Sequence, residues 1–215
     1  RLVPPFADSH GIDPNQVAGL PRLRDSRLWG EYPYMYIDFE DESLPLEIQL
    51  EAYTPFIPHE PDESGLPAAI LTYRVVNTGS EAAEVTVVGS LMNAVGWTGM
   101  ADFGRVKTDD FGGNVNEYLE EDELRGLHLT SGKHPEGSLL HGSLSLATTN
   151  PRTTVKRHWL RSGWWDYIRE FWDDLTEDGL LTDLCYTEPS EEGKYDVGSL
   201  GVVETIEPGE SAEFR

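Results

Sequence analysis

An alternation of period two constrains this chain more than any other feature. Leu46, Ile48, Leu50 and Ala52 alternate with Glu47, Gln49, Glu51 and Tyr53, which places apolar groups on one face of an extended strand and polar groups on the other. Upstream, Met35, Ile37 and Phe39 alternate in the same way with Tyr34, Tyr36 and Asp38. β-rich runs over 68–76 and 83–91 flank a turn at Asn77-Thr78-Gly79-Ser80, the signature of a hairpin. Further strands are expected over 127–130, 139–148, 153–159 and 200–206, with a closing strand from Ala212 after a turn at Pro208-Gly209. Many short strands with almost no helix between them predict an all-β chain, an antiparallel two-sheet β-sandwich over residues 1–215 as a single domain.

One segment has a different period. Trp164, Ile168, Phe171, Trp172 and Leu175 form a helical stripe, with Ser162 placed to cap its start and Gly179 to end it. This predicts one short amphipathic helix. The stretch 96–122 has weak periodicity and many Gly and Asp residues, and reads as a long excursion loop of the kind that is usually functional or mobile.

Charge excludes several functions. Acidic residues number 39 against 16 Lys and Arg, for a net charge of −23. No basic face is available for phosphate, so nucleic acid is not an expected partner. Arg outnumbers Lys 12 to 4, and an acid-coated, Lys-poor surface suits a molar-salt interior, where the Debye length falls to roughly 3 Å. No apolar run approaches the length of a transmembrane helix. The one cysteine, Cys185, forbids an intrachain disulfide and reads as a buried, inert thiol. That cysteine count and the lack of an Asn-x-Ser/Thr acceptor point to the cytoplasm.

Chemistry-bearing motifs are few. Runs such as Glu120 to Glu123 and Asp173 to Asp178 are the solvated surface that an acidic composition produces, so no catalytic residue is assigned. Asp174-x-Thr176-x-Asp178-Gly179 resembles the start of a calcium loop but has Cys185 where a bidentate Glu is required. His128, His134 and His141 could form a metal site only if brought together by the fold; no metal or other cofactor is assigned. Trp159, Trp164, Trp165 and Trp172 could stack on a sugar, although tryptophans at helical spacing more often pack against a sheet. Trp97, between Gly96 and Gly99 in the irregular stretch, is the better candidate for a solvent-facing substrate contact.

Several blocks carry a family resemblance: Glu31-Tyr32-Pro33, Leu50-Glu51-Ala52-Tyr53-Thr54-Pro55-Phe56-Ile57-Pro58, Leu66-Pro67-Ala68, Val76-Asn77-Thr78-Gly79, Asn93-Ala94-Val95-Gly96, Trp172-Asp173-Asp174 with Asp178-Gly179, and Glu207-Pro208-Gly209-Glu210-Ser211. In their order and spacing the chain resembles the N-terminal domain of glycoside hydrolase family 116, the non-lysosomal glucosylceramidase or bile-acid β-glucosidase type. The resemblance implies a β-sandwich that supports and flanks a C-terminal (α/α)-barrel catalytic domain of the same polypeptide. The two carboxylates that hydrolyse a β-glucoside or glycolipid with retention belong to that domain, and the sequence stops before it is reached. Tyr53, Phe56 and Ile57, at a strand end closed by Pro58, are the expected contact with the missing domain. An independent carbohydrate-binding module without hydrolase activity is the alternative.

Overall fold

The computed structural model describes residues 21–99, 107–161 and 166–215. Its strands are β1 (Asp25–Glu31), β2 (Tyr34–Glu40), β3 (Leu46–Tyr53), β4 (Ile70–Asn77), β5 (Ala83–Met92), β6 (Asn114–Glu121), β7 (Leu124–Ser131), β8 (Leu144–Thr148), β9 (Thr153–Lys156), β10 (Val197–Ile206) and β11 (Ser211–Phe214). The helices are the single turn α1 (Pro61–Ser64) and α2 (Asp166–Asp178). The chain is all-β with one short amphipathic helix, and its strands form three sheets, ordered β1-β2-β3-β4-β11, β5-β10-β9 and β6-β7-β8. The described residues divide into two compact units, Pro21–Val87 with Val203–Arg215, and Val88–Val202.

In the first unit the alternation seen in the sequence becomes a two-faced sheet. Antiparallel register aligns Ile37 with Leu50, Leu50 with Tyr73 and Tyr73 with Phe214, so the apolar positions of four strands share one face. Leu50, Ala52, Val75 and Phe214 are buried there. The Asn77-Thr78-Gly79-Ser80 turn does not close a hairpin: β4 pairs with β3 and β11, whereas β5 lies in another sheet. The reason is Asn77, which is fully buried. Its amide donates to the Glu81 and Ile206 carbonyls at 2.7 and 2.8 Å, and its own carbonyl accepts from Gly209 N. Those bonds tie the end of β4 to the turn before β11. That turn forms as expected, with Glu210 N donating to Glu207 O and Gly209 at φ 80°, the geometry glycine favours.

In the second unit Leu127, Leu129 and Leu200 are buried, with Leu91, Tyr118, Leu144, Leu146 and Val155 packed against them. Gly126 sits in the central strand β7, where a Cβ would collide with the Leu146 carbonyl and lie 2.6 Å from Ala147 Cα. The excursion loop is shorter than 96–122 because β6 starts at Asn114. The inward positions of β6 are Asn114 and Asn116, both buried, so its core face resembles a solvent face in the sequence. Asn116 is satisfied by Arg157 O at 2.7 Å and by the Asn93 amide at 2.9 Å. The β6–β7 loop is only Asp122-Glu123, with Asp122 at φ 52°.

Helix α2 follows the expected stripe, with Ile168 and Phe171 buried and Gly179 (φ 80°) ending it. Ser162, Trp164 and Trp165 lie outside the described residues. Phe171 stacks on Trp159 at 4.4 Å, and Trp159 Nε1 donates to Ser199 Oγ at 2.7 Å. Trp159 is therefore a packing residue. Cys185 is exposed rather than buried. It occupies an irregular bend at φ 55° instead of the inner face of a strand.

Candidate functional site

Trp97 rides on a tightly specified loop after β5. Asn93, fully buried, donates to Asn116 Oδ1 at 2.9 Å and Thr130 O at 2.8 Å, while its backbone N–H donates to Asp196 O. Gly96 follows at φ 91°, and a Cβ there would lie 2.6 Å from Asp110 O and 2.7 Å from His134 Nε2. Only glycine fits. Trp97 N donates to Ala94 O, Thr98 Oγ1 donates to Asp110 Oδ2 at 3.0 Å, and Lys107 N donates to Gly99 O. The backbone is thus pinned on both sides of an indole that remains 52% exposed. An accessible ring on a pinned backbone can offer a flat apolar face to a ligand.

Tyr53, Phe56 and Ile57 lie in the first unit, at the end of β3. The Tyr53 ring meets Tyr34 at 5.1 Å and its hydroxyl accepts from Arg215 Nη2 at 3.2 Å. Beyond the strand, Phe56 packs edge-to-face on Tyr32 at 5.1 Å. Phe56 and Ile57 are 43% and 51% exposed. The Ile57 backbone is held by Ser64 of α1, whose Oγ accepts from Ile57 N and donates to Ile57 O, both at 2.9 Å. The outcome is an apolar knob on a fixed main chain. Trp97 belongs to the other unit.

The histidines are spent on local contacts. His134 Nε2 bonds Asp110 O at 2.8 Å, His141 Nδ1 bonds His134 O at 3.0 Å and His128 Nδ1 meets Ser145 Oγ at 3.3 Å. Among the described residues, no group of three or more His, Cys, Asp or Glu side chains could hold a metal ion. Among the described residues, two carboxyls clearly depart from their ordinary range, and both go down. Hydrogen bonds from Ser43 lower Asp41. Burial pushes Asp174 up, but hydrogen bonds from Thr182 and Lys156 outweigh it. A general acid needs the opposite shift.

The sequence reading passed over an aromatic row on β1 and β2. Trp29 stacks on Tyr36 at 5.5 Å, Tyr36 faces Tyr34 at 6.2 Å, and Tyr34 reaches Tyr53. A signal was present: Tyr34 and Tyr36 occupy the face opposite Met35 and Ile37, where polar residues are the rule. It was masked because aromatic residues also serve as ordinary strand formers.

One buried titratable cluster is structural. His158 is buried with Nε2 4.0 Å from Asp196 Oδ2, while Arg161 clamps Asp196 through two bonds of 2.8 and 2.7 Å and lies over the Tyr186 ring. Burial lowers the His158 pKa; Asp196 and Asp183 oppose this, and Arg161 and Arg157 reinforce it. With the folded value below the unfolded one, stability is full above about pH 6.5. It is lost as pH falls from there through the depressed folded value, because the unfolded chain takes the proton first. Denaturant midpoints measured from pH 8 to 5 should fall for the native protein and flatten in this window for His158→Gln.

Two comparisons with known proteins bear on this geometry. A family model described as beta-glucosidase 2, glycosyl-hydrolase family 116 N-term, matches residues 10–215. No curated protein matches the chain. The matched span includes the Asn93–Gly96 loop, the β3 end with its Phe56 knob, and all three sheets. The chain belongs to the N-terminal domain family of glycosyl-hydrolase family 116.

Proposed function

We propose that this chain is the N-terminal module of a retaining β-glucosidase of the glucosylceramidase-like type, supporting and flanking a catalytic domain of the same polypeptide. The observation that carries this reading is the family match over residues 10–215. The catalytic domain supplies the nucleophilic and acid–base carboxylates, and the β-glucoside or glycolipid reaches them there. In this reading Phe56 and Ile57, with Tyr53 behind them, dock on that domain. An exposed apolar knob on a strongly acidic chain is the kind of surface that a partner covers. Trp97 borders the substrate path. Its exposed ring also favours a second reading, a module that holds carbohydrate without taking part in hydrolysis.

Hydrolysis of an aryl β-glucoside by the full-length protein and by residues 1–215 alone tests the first reading. The full-length protein should turn over and the isolated module should not. In the full-length protein, Phe56→Asp with Ile57→Asp should split one thermal transition into two, because burying carboxylates in an apolar contact costs several kcal/mol. Turnover by the module alone, or none by the full-length protein, would overturn the assignment.

A further inference from the structure

We propose that the face of β1, β2 and β3 around Trp29, Tyr36 and Glu51 is a binding surface for a neutral saccharide chain, separate from the site that cleaves it. Sugar as the ligand class rests on the family membership; the location rests on the geometry. Antiparallel register aligns Trp29 with Tyr36 and Tyr36 with Glu51. The neighbouring row on one side is Glu31, Tyr34 and Tyr53; on the other it is Arg27, Asp38 and Gln49. Because strand side chains alternate, these rows share the face opposite the buried Leu50. Aromatic rings therefore occupy the middle of the patch, with hydrogen-bonding groups on either side.

Each part suits a pyranose ring. Trp29 lies nearly parallel to Tyr36, with 17° between the planes, and is 41% exposed. Strand β1 is an edge of its sheet, so among the described strands none flanks the indole face turned away from Tyr36. That face can stack on the C–H side of a sugar. Glu51 is the cross-strand neighbour of Tyr36, and the Gln49 amide donates to Asp38 Oδ1 at 2.7 Å. Their remaining oxygens can accept from sugar hydroxyls. The rings are already packed together, so little rotamer freedom is lost on binding. None of the seven β1 residues is buried, which leaves Trp29 uncommitted to any core. The acids Glu31, Asp38 and Glu51 outnumber the single base Arg27 in these rows, so an anionic polymer is repelled and a neutral one accepted.

The experiment is calorimetric titration of the full-length protein with cellopentaose, its catalytic centre saturated by a glucose-sized imino sugar. Binding should persist under saturation. Trp29→Ala should weaken it about three- to tenfold, the range for losing one aromatic stacking partner. Leu28→Ala, on the opposite face and more exposed than Trp29, should leave it unchanged, and Trp29→Tyr should recover part of it. Aryl β-glucoside turnover should be unaffected by Trp29→Ala, which keeps this test distinct from that of the catalytic assignment. Loss of all binding under saturation, equal binding by Trp29→Ala, or equally tight binding of polygalacturonate would overturn the proposal. So would a Trp29→Ala protein whose only change is lower stability, the mark of a face covered by protein instead of sugar.

Discussion

Replacing Lys156 by Ala is expected to destabilise the protein by about 3–5 kcal/mol, the range for breaking a buried ion pair by removing one partner. The Lys156 side chain is completely buried at the end of β9. Its Nζ donates to Glu170 Oε1 at 2.7 Å, Asp174 Oδ2 at 3.1 Å and Thr182 O at 2.7 Å. This one ammonium joins a strand to α2 and to the segment after it, where Asp174 also accepts from Thr182 N at 2.9 Å. Without it, two largely buried carboxylates are left facing each other with no cation. For a chain of this length the loss corresponds to roughly 6–20 °C in thermal midpoint. The control is the triple variant Lys156→Met, Glu170→Gln, Asp174→Asn, which removes the charges together and should recover most of the stability. Equal damage in the single and triple variants would mean that packing, not charge, sets the cost.

The second large effect is that of salt. With a net charge of −23, the compact state is opposed by repulsion among carboxylates, and screening relieves it. Raising KCl from 0.1 M to 1 M shortens the Debye length from about 10 Å to about 3 Å. The thermal midpoint should climb steeply over that interval. Continued gain beyond 1 M would point to carboxylate hydration, the mark of adaptation to a salt-rich interior. A midpoint indifferent to KCl would show that the acids are too dispersed to repel. The Lys156 penalty should survive in high salt, since buried pairs are little screened.

Strand existence was legible wherever a strand has one greasy and one wet face, as in β2 and β3. Three features were hidden for separate reasons. Strand β1 buries nothing, so it has no apolar periodicity to read. The core positions of β6 are asparagines held by partners distant in sequence: Asn116 by Asn93 and Arg157, and Asn114 Oδ1 by Asp196 N. The β4–β5 turn has hairpin chemistry, yet Asn77 directs its hydrogen bonds to the chain around Ile206 and Gly209. At the candidate sites, the exposure of Trp97, Phe56 and Ile57 follows from Gly and Pro beside them. The aromatic row of Trp29, Tyr36, Tyr34 and Tyr53 did not, because it exists only once register brings three strands side by side.

By itself, then, the sequence determined the all-β class, the amphipathic helix α2, the acidic net charge and, through its family blocks, the kind of protein to which this chain belongs. Those properties are local: period two, period 3.6, net charge and short motifs need no knowledge of distant residues. Tertiary structure alone decided which strands share a sheet, which asparagines and which lysine are buried, and which rings meet. Burial of a polar group is favourable only where remote partners satisfy it, and no stretch of sequence contains those partners.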